Sequence, residues 1–300
     1  DVIYTRSLRV TLGAARAGWP VVYEEHDPIW DVFRQALQQD QRVMQNIRGV
    51  VTTRQALADS YVTAGIPEQR VFVAHNGVDV SDFYDLPSIA KARQQKGLSS
   101  ERNLCVYMGH LYQNRGIETI FDLATLMPEV DFLLVGGWDK DVLQRQQEMN
   151  DRQLHNVQLT GFVPHAEVAG YLACADVLLM PFSAELKNAT WATPLKMYEY
   201  MASGRPIIAS DLPFVRDLLQ HEHNCLLVPP DDALTLHETL QDALTHPDQT
   251  EQLARNARQD VQQYTWDNRA RRILEWMQTN LHEIHKHKHS KNRYTTNTSR

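Results

Sequence analysis

The 300-residue sequence has few cysteines and no long apolar run. Its cysteines, Cys105, Cys174 and Cys225, are odd in number and form no Cys-x-x-Cys pair, which argues against a disulfide framework or a zinc ribbon. No stretch of eighteen apolar residues occurs, so we predict no transmembrane helix and no signal segment. We therefore expect buried, reduced thiols in a cytoplasmic protein.

The sequence also lacks the motifs of several common enzyme classes. No Gly-x-Ser-x-Gly elbow and no His-Glu-x-x-His pair is present, which argues against serine hydrolases and zinc proteases. The net charge of −7 argues against nucleic acid as a partner. We predict no metal site and expect only adventitious metal binding by the tail histidines, which are His282, His285, His287 and His289.

What the sequence does contain is a regular alternation of short β-branched runs with amphipathic helical runs. This alternation predicts βαβ units, and hence an α/β fold with parallel sheets covered by helices. Four strands are predicted in the first part of the chain, at residues 2–5, 21–24, 49–52 and 71–74. Six more are predicted at residues 104–108, 131–135, 157–159, 177–180, 207–209 and 225–228.

The alternation lapses between the two series, which predicts two domains. Residues 85–100 contain Pro87, several charges and Gly97, and are predicted to be a linker. We assign residues 1–84 to a partial first domain and residues 85–265 to a complete doubly wound domain. A helix at residues 266–285 and a disordered polar tail at residues 286–300 follow. Because Asp1 already stands in a strand pattern, without an initiator methionine, we expect the chain to begin within a domain.

The most informative segment is a helix predicted to start after Thr193 and to stop at Gly204. Thr193 suits the N-cap, Pro194 suits the first helical position, and Gly204 suits a left-handed C-cap. Lys196 in the first turn opposes the helix dipole, a conflict that a bound anion would remove. Glu199 is three residues further and on the same side, where it could accept hydrogen bonds from sugar hydroxyls. The pattern predicts a nucleotide or sugar-phosphate pocket.

Three other loops follow predicted strands and are candidates for the same site. Gly109 opens a loop that contains Arg115, which suits phosphate oxygens, although a plain strand-to-helix loop is the alternative. Phe162 and Val163 form a turn that could pair with a base edge or could serve only as a turn. His26 follows two carboxylates at the end of a strand, either as a cleft residue or as part of a loop-stabilising cluster.

These segments together resemble the retaining glycosyltransferases of family four. The matching segments occur in family order and are residues 73–79, 107–111, 114–116, 132–136, 161–163, 175–181, 194–204 and 226–230. The resemblance implies the GT-B architecture, in which two Rossmann-like domains face a cleft, the first of them incomplete here. It also implies transfer of a sugar from a nucleotide-sugar to an acceptor with the anomeric configuration kept.

The resemblance further implies roles for the candidate residues. Arg115 and Lys196 match the cations that hold the donor diphosphate, and Glu199 matches the glutamate that binds the ribose. The turn of Phe162 and Val163 matches the base-binding segment, and His26 matches a histidine near the reacting sugar. Gly109, Thr193 and Pro194 are further expected donor contacts. No cofactor and no metal ion is expected.

The expected partners are a nucleotide-sugar donor and a glycan, lipid-linked or small-molecule acceptor, with polysaccharide biosynthesis as the family habit. Association with the inner face of the membrane, through a basic face of the first domain, is left open.

The sequence departs from the family pattern at three places. A second glutamate commonly stands eight residues before the position of Glu199, where this chain has Trp191, and Glu185 in a longer loop is the alternative. His110 stands where a phosphate-binding arginine is common. The family's first domain also begins earlier. Two alternatives therefore stay open: a degenerate homologue that binds nucleotide-sugar without catalysis, and a nucleotide-sugar epimerase of the same fold.

Overall fold

The computed structural model describes residues 1–294. The chain divides into two compact units, of which the first contains residues 1–76 and the chain from Trp266 onward, and the second contains Gly77–Thr265. The division falls between Asn76 and Gly77, eight residues before the predicted boundary, and the return of the chain after Thr265 agrees with the predicted start of a separate helix.

The first unit contains a parallel sheet of β1 (Ile3–Thr5), β2 (Val21–Glu25), β3 (Ile47–Thr52) and β4 (Val71–Val73), in that spatial order. Helices α1 (Leu8–Arg16), α2 (Asp31–Gln39), α3 (Gln41–Asn46) and α4 (Gln55–Thr63) connect or flank these strands. An aromatic cluster fills its core, where Phe33 packs edge-on against Tyr23 at 5.1 Å between ring centroids. Each strand lies within two residues of its predicted bounds.

The second unit contains seven helices among its described residues: α5 (Ile89–Lys96), α6 (Ile117–Leu126), α7 (Asp139–Asp151), α8 (His165–Leu172), α9 (Leu195–Ser203), α10 (Ala233–Thr245) and α11 (Pro247–Asp260). Its six strands are β5 (Leu104–Met108), β6 (Asp131–Val135), β7 (Val157–Gly161), β8 (Val177–Met180), β9 (Ile207–Ser210) and β10 (Leu226–Val228). They are parallel and lie in the order β10-β9-β8-β5-β6-β7, with apolar clusters on both faces. This is the strand order of a doubly wound nucleotide-binding sheet, as predicted.

The linker predicted at residues 85–100 is wrong, because α5 occupies its centre. Ser88 caps this helix by accepting a hydrogen bond from the backbone N–H of Lys91, and Gly97 ends it in the left-handed conformation at a φ of +67°. Both are ordinary helix boundary residues. The segment has few apolar residues, so its sequence did not indicate a helix. In the structure Ala92 and Arg93 of α5 are buried within the second unit.

The last helix, α12 (Trp266–Tyr294), packs on the sheet of the first unit. Trp276 stacks on Phe72 at 5.2 Å and lies so close to Gly49 that a Cβ there would be 2.3 Å from the indole ring. The helix extends nine residues beyond its predicted end at residue 285, into the segment predicted to be disordered. The remainder of that predicted tail, residues 295–300, lies outside the described residues. In the described part of the chain, no helix combines the length and apolar character that a bilayer span requires.

Candidate functional site

The strand order of the second sheet creates a switch point between β5 and β8, from which the chain proceeds in opposite directions. Ligands of open parallel sheets bind beyond the carboxyl ends of the strands at such a point. Two loops leave the sheet there, residues 109–116 after β5 and residues 181–194 after β8. Most of the predicted site residues lie on these loops or on α9.

The two loops approach each other closely at Gly116. This residue has a φ of +81°, and a Cβ there would lie 1.7 Å from the carbonyl oxygen of Pro181. Gly109, at a φ of +138°, would bring a Cβ to within 3.2 Å of Lys196 Nζ. Both positions favour glycine for their backbone conformation, and Gly116 also requires it for space, because its Cβ would clash with the backbone of the β8 loop.

Tyr200 fixes α9 across the switch point. Its hydroxyl accepts a hydrogen bond from the backbone N–H of Met108 at 2.7 Å and donates to the carbonyl oxygen of Leu179 at 3.3 Å. Met108 ends β5 and Leu179 lies in β8, so one side chain joins the helix to both strands. Lys196 lies one turn earlier on the same side of the helix and is positioned by the same anchor.

Lys196 ends in a buried ammonium group. Its Nζ lies 3.9 Å from the ring centroid of Tyr107 and 4.6 Å from that of Phe182, and it has no hydrogen-bond partner among the described residues. Burial, and then the charge of Arg115, hold the pKa of Lys196 well below its ordinary value, with Glu199 acting in the opposite direction. A buried amine with three unused donors is costly unless an acceptor meets it.

Arg115 adds a second cation beside the same ring. Its guanidinium carbon lies 5.5 Å from the ring centroid of Phe182 and 5.8 Å from that of Tyr112. Within the described residues, neither Arg115 nor Lys196 forms an ion pair with a carboxylate. The structure thus brings together the two cations, Lys196 on a helix and Arg115 on a loop, that are far apart in the sequence. Their mutual repulsion would be relieved by a bound anion with more than one charge.

Glu199 is buried one turn after Lys196, and its carboxylate is held by His165. The distance from His165 Nε2 to Glu199 Oε1 is 3.0 Å. Burial raises the pKa of Glu199, and the His165 contact and the charge of Lys196 reduce that effect. His165, the first residue of α8, was not predicted as a site residue. The feature of the sequence that could have identified it is its position directly after the Phe162–Pro164 turn.

Exposed aromatic rings line the ends of β5, β6 and β7. Phe162 is 65% exposed and stacks on Trp138, which is 53% exposed, at 5.6 Å with an interplanar angle of 4°. His110 stacks on Tyr112 at 4.5 Å, and burial followed by the charges of Arg115 and Lys196 lowers its pKa. Trp138 was also missed, since its position after two glycines matched no motif that we considered.

Two family models match consecutive parts of the chain. Residues 1–82 match the family described as Glycosyltransferase Family 4, and residues 102–246 match Glycosyl transferases group 1. The chain belongs to the group 1 glycosyltransferases of family 4. We call the group of candidate residues around Lys196 and Arg115, between Gly109 and Glu199, the cationic site. The match to Glycosyl transferases group 1 contains all of it.

Named relatives match part of this chain. The D-inositol 3-phosphate glycosyltransferase of Jonesia denitrificans is 26% identical over 252 residues, which are 79% of this chain and 58% of the relative. The alpha-galactosylglucosyldiacylglycerol synthase of Streptococcus pneumoniae is 24% identical over 177 residues, which are 57% of this chain and 46% of the relative. The chain therefore spans about half the length of the curated relatives it matches.

A solved structure supports the fold. Anabaena HepE, crystallised in complex with UDP, matches with a TM-score of 0.78 at 22% identity, covering 93% of this chain and 79% of that chain. The likeness confirms the predicted GT-B fold class with its parallel α/β sheets.

The start of α9 differs from the prediction by one residue. Thr193 was predicted as the N-cap, but the helix begins at Leu195 and Pro194 occupies the cap position, without a side-chain cap. Pro194 is extended, with ψ of 123°, and its carbonyl oxygen accepts the hydrogen bond of Met197 N–H. Gly204 ends the helix in the left-handed conformation, as predicted.

The long loop after β8 carries Glu185 and is held in place by hydrogen bonds with Asp231 and Asn114. Asp231 accepts hydrogen bonds from the Ser183 hydroxyl at 3.1 Å and from the backbone N–H of Ala184 at 2.8 Å. Asn114 of the β5 loop donates its side-chain amide to the carbonyl oxygen of Glu185 at 3.3 Å. The Glu185 side chain is exposed, so whether it replaces the family glutamate at Trp191 stays a prediction.

His26 belongs to the first unit, whereas the other predicted site residues belong to the second. Its ring is 25% exposed and contacts Glu24, whose Oε1 lies 2.7 Å from His26 Nε2. Arg269 of α12 donates to the same oxygen at 2.9 Å. The carboxylate cluster that the sequence indicated around His26 is therefore present. The α12 contribution was not predicted, because 243 positions separate Arg269 from His26 in the chain.

Proposed function

We propose that this chain acts as a retaining glycosyltransferase that moves a sugar from a nucleoside diphosphate sugar to an acceptor hydroxyl. The observation that carries the proposal is the buried Lys196 ammonium group beside Arg115, with neither cation paired to a carboxylate in the described residues. A diphosphate supplies both the charge and the acceptor oxygens that such a pair requires.

The two cations suit a diphosphate better than a single phosphate. They approach the Phe182 ring from two different elements, Lys196 from α9 and Arg115 from the β5 loop. The first turn of α9 adds backbone N–H groups and the positive end of the helix dipole. Lys196 would supply a point charge, and Arg115 a planar fork for two oxygens.

Glu199 is proposed to bind the ribose. His165 contacts Oε1, so Oε2 is the oxygen available to accept hydrogen bonds from a vicinal diol. Low exposure of the carboxylate makes such hydrogen bonds stronger than they would be in water. The turn at Phe162 and Val163, with Trp138 stacked beside it, is the proposed contact for the base.

The proposed chemistry rests on stabilising the leaving group. When the glycosidic bond to the diphosphate breaks, negative charge grows on the phosphate oxygen, and Arg115 and Lys196 would neutralise it in a site with little water. Lys196 needs little reorganisation at that moment because Tyr200 already anchors α9 to β5 and β8. We propose that no metal ion is required for this step.

The acceptor is proposed to be a hydroxyl of a glycan, a lipid-linked molecule or a small molecule. The names of the relatives give inositol 3-phosphate and a glycosyldiacylglycerol as their substrates or products, and both classes offer a free hydroxyl. The complex of HepE with UDP supports a uridine donor, with guanosine and adenosine donors as the alternatives to be tested.

A thermal-shift panel of UDP-, GDP- and ADP-sugars tests donor binding. A donor at a hundredfold excess over its dissociation constant should stabilise the protein by about 2.7 kcal/mol. Turnover is then measured as nucleotide release with glycan and lipid acceptors, and the product anomer is assigned by NMR. No stabilisation by any donor would refute the proposed site. Binding without turnover in any assay would favour the non-catalytic alternative, and a new donor isomer formed without acceptor would favour the epimerase.

A further inference from the structure

Three side chains form hydrogen bonds with the buried carboxylate of Glu24 in the first unit. Oε1 lies 2.7 Å from His26 Nε2 and 2.9 Å from the guanidinium of Arg269, and Oε2 accepts the hydroxyl proton of Tyr4. The Glu24 side chain is only 7% exposed. One buried carboxylate thus gathers three hydrogen-bond partners, and one of them is a histidine that is partly open to solvent.

The protonation state of the pair follows from these contacts. Burial of Glu24 opposes its ionisation, but the hydrogen bonds from His26 and Tyr4, with the charge of Arg269, outweigh it and lower the pKa of Glu24 to about 2. At neutral pH the carboxylate is therefore ionised and can only accept hydrogen bonds. The proton in the contact must then belong to His26 Nε2.

We propose that Glu24 is a positioning residue, which holds the neutral His26 ring as its Nε2–H tautomer and leaves Nδ1 as an acceptor for a substrate hydroxyl. Nδ1 has no hydrogen-bond partner among the side chains that the structure describes. The inference rests on the proposed function in one respect, namely that the hydroxyl belongs to a sugar. The tautomer itself depends only on contacts within the first unit.

The neighbouring Glu25 offers a matched control, because it binds the backbone of the same loop. Its Oε1 accepts the backbone N–H of His26 at 2.8 Å, and its Oε2 accepts Trp30 Nε1–H at 3.1 Å and the Tyr23 hydroxyl. Neither oxygen contacts the imidazole. Glu24 and Glu25 are thus adjacent, are both hydrogen-bonded, and differ in whether they reach the ring.

The first test is the tautomer of His26, measured by long-range ¹H–¹⁵N correlation at an alkaline pH where the imidazole is neutral. The wild-type ring should be wholly Nε2–H, with a slowly exchanging Nε2 proton. Glu24→Gln should lose this protected proton and show a mixture of tautomers, because Tyr4 and Arg269 compete for the single amide oxygen. Glu25→Gln should retain the wild-type pattern. A wild-type Nδ1–H ring, or an unchanged Glu24→Gln spectrum, would overturn the proposal whether or not the chain transfers sugar.

The second test is kinetic and uses the donor identified by binding. Glu24→Gln should lower kcat by about tenfold to a hundredfold, the range expected when a contact group loses its orientation. In a His26→Ala background, the same change should have no further effect, since Glu24 acts through the ring. An equal loss in both backgrounds would assign Glu24 a structural role and overturn the inference. An inactive wild-type chain that retains the predicted tautomer would refute the proposed function and leave the positioning role standing.

Discussion

Replacing Lys196 with methionine should stabilise the ligand-free protein and weaken diphosphate binding at the same time. Methionine keeps much of the apolar stem between the rings of Tyr107 and Phe182 and removes the unpartnered ammonium group. An unsatisfied buried donor costs about 1–3 kcal/mol, and more when it is charged. The contacts of the cation with the two rings return about 0.5–2 kcal/mol. Because the buried donor is charged, its cost lies near or above the upper end of the first range, and we therefore expect Lys196→Met to raise the free energy of unfolding by about 1–2 kcal/mol.

The effect on ligand binding has the opposite sign. A hydrogen bond to a charged group contributes about 1.5–3 kcal/mol, which corresponds to a weakening of UDP binding by about tenfold to a hundredfold. For a unit of this size, 1 kcal/mol shifts Tm by about 2–4 °C. Differential scanning fluorimetry of both proteins, with and without UDP, GDP and ADP, reports both effects in one experiment.

Lys96→Met is the matched control for this prediction. Lys96 Nζ lies 4.0 Å from the ring of Tyr171, as Lys196 lies over Tyr107, but it pairs with Glu167 at 3.0 Å. Loss of this surface pair should cost less than about 1 kcal/mol and leave nucleotide binding unchanged. A Lys196→Met protein that is less stable than the wild type and keeps its response to nucleotides would refute the reasoning.

Three further predictions concern single residues. Gly116→Ala should lower the free energy of unfolding, measured in urea, by about 2–5 kcal/mol, because the new Cβ meets Pro181 O and the backbone has a left-handed φ. The control is Gly97→Ala, which has a left-handed φ but open space around it and should cost only about 1 kcal/mol. Burial raises the pKa of Glu199, so its ionisation reduces stability as pH rises. The stability of Glu199→Gln relative to wild type should therefore increase as pH rises through and above the ordinary titration range of glutamate, and a flat or falling difference would contradict this. Arg115→Lys keeps the charge but loses the fork, and should weaken binding of the diphosphate by about tenfold in titration calorimetry, with unchanged affinity counting against the proposed contact.

The strands and their order were accessible from the sequence because parallel strands in this fold are buried on both faces. Their β-branched runs are continuous, and the turns between them are marked, so the bounds were predicted to within two residues. Helix α5 was missed for the converse reason. It has few apolar residues, its N-cap at Ser88 was overlooked, and its C-cap at Gly97 was taken as a feature of a linker.

The cationic site was predicted in part. Lys196 and Glu199 share one helix, so their proximity follows from helical spacing, and Arg115 follows from its place at a strand end. The partners of these residues come from elsewhere in the chain. The anchor from Tyr200 to Met108 spans 92 positions, and His165 reaches Glu199 from another helix. Such contacts depend on tertiary packing, which no local pattern in the sequence reports.

The cap residue of α9 is a local detail that the sequence alone did not decide. Thr193 and Pro194 are both acceptable at the entry to a helix, and the sequence favoured threonine as the cap. In the structure Pro194 keeps an extended ψ and takes the cap position itself. The helix begins one residue later, and Lys196 remains in its first turn, so the proposed anion site is unaffected.

The central claim, that unit two recognises a diphosphate through Arg115 and Lys196, is tested most directly by comparing a nucleoside diphosphate with its monophosphate. Titration calorimetry should show that the preferred diphosphate among UDP, GDP and ADP binds the wild-type chain at least about tenfold more tightly than the matching monophosphate. Lys196→Met and Arg115→Lys should each reduce that ratio, while Lys96→Met should preserve it. Equal affinities for diphosphate and monophosphate in the wild type, or an unchanged ratio in both site variants, would contradict the account.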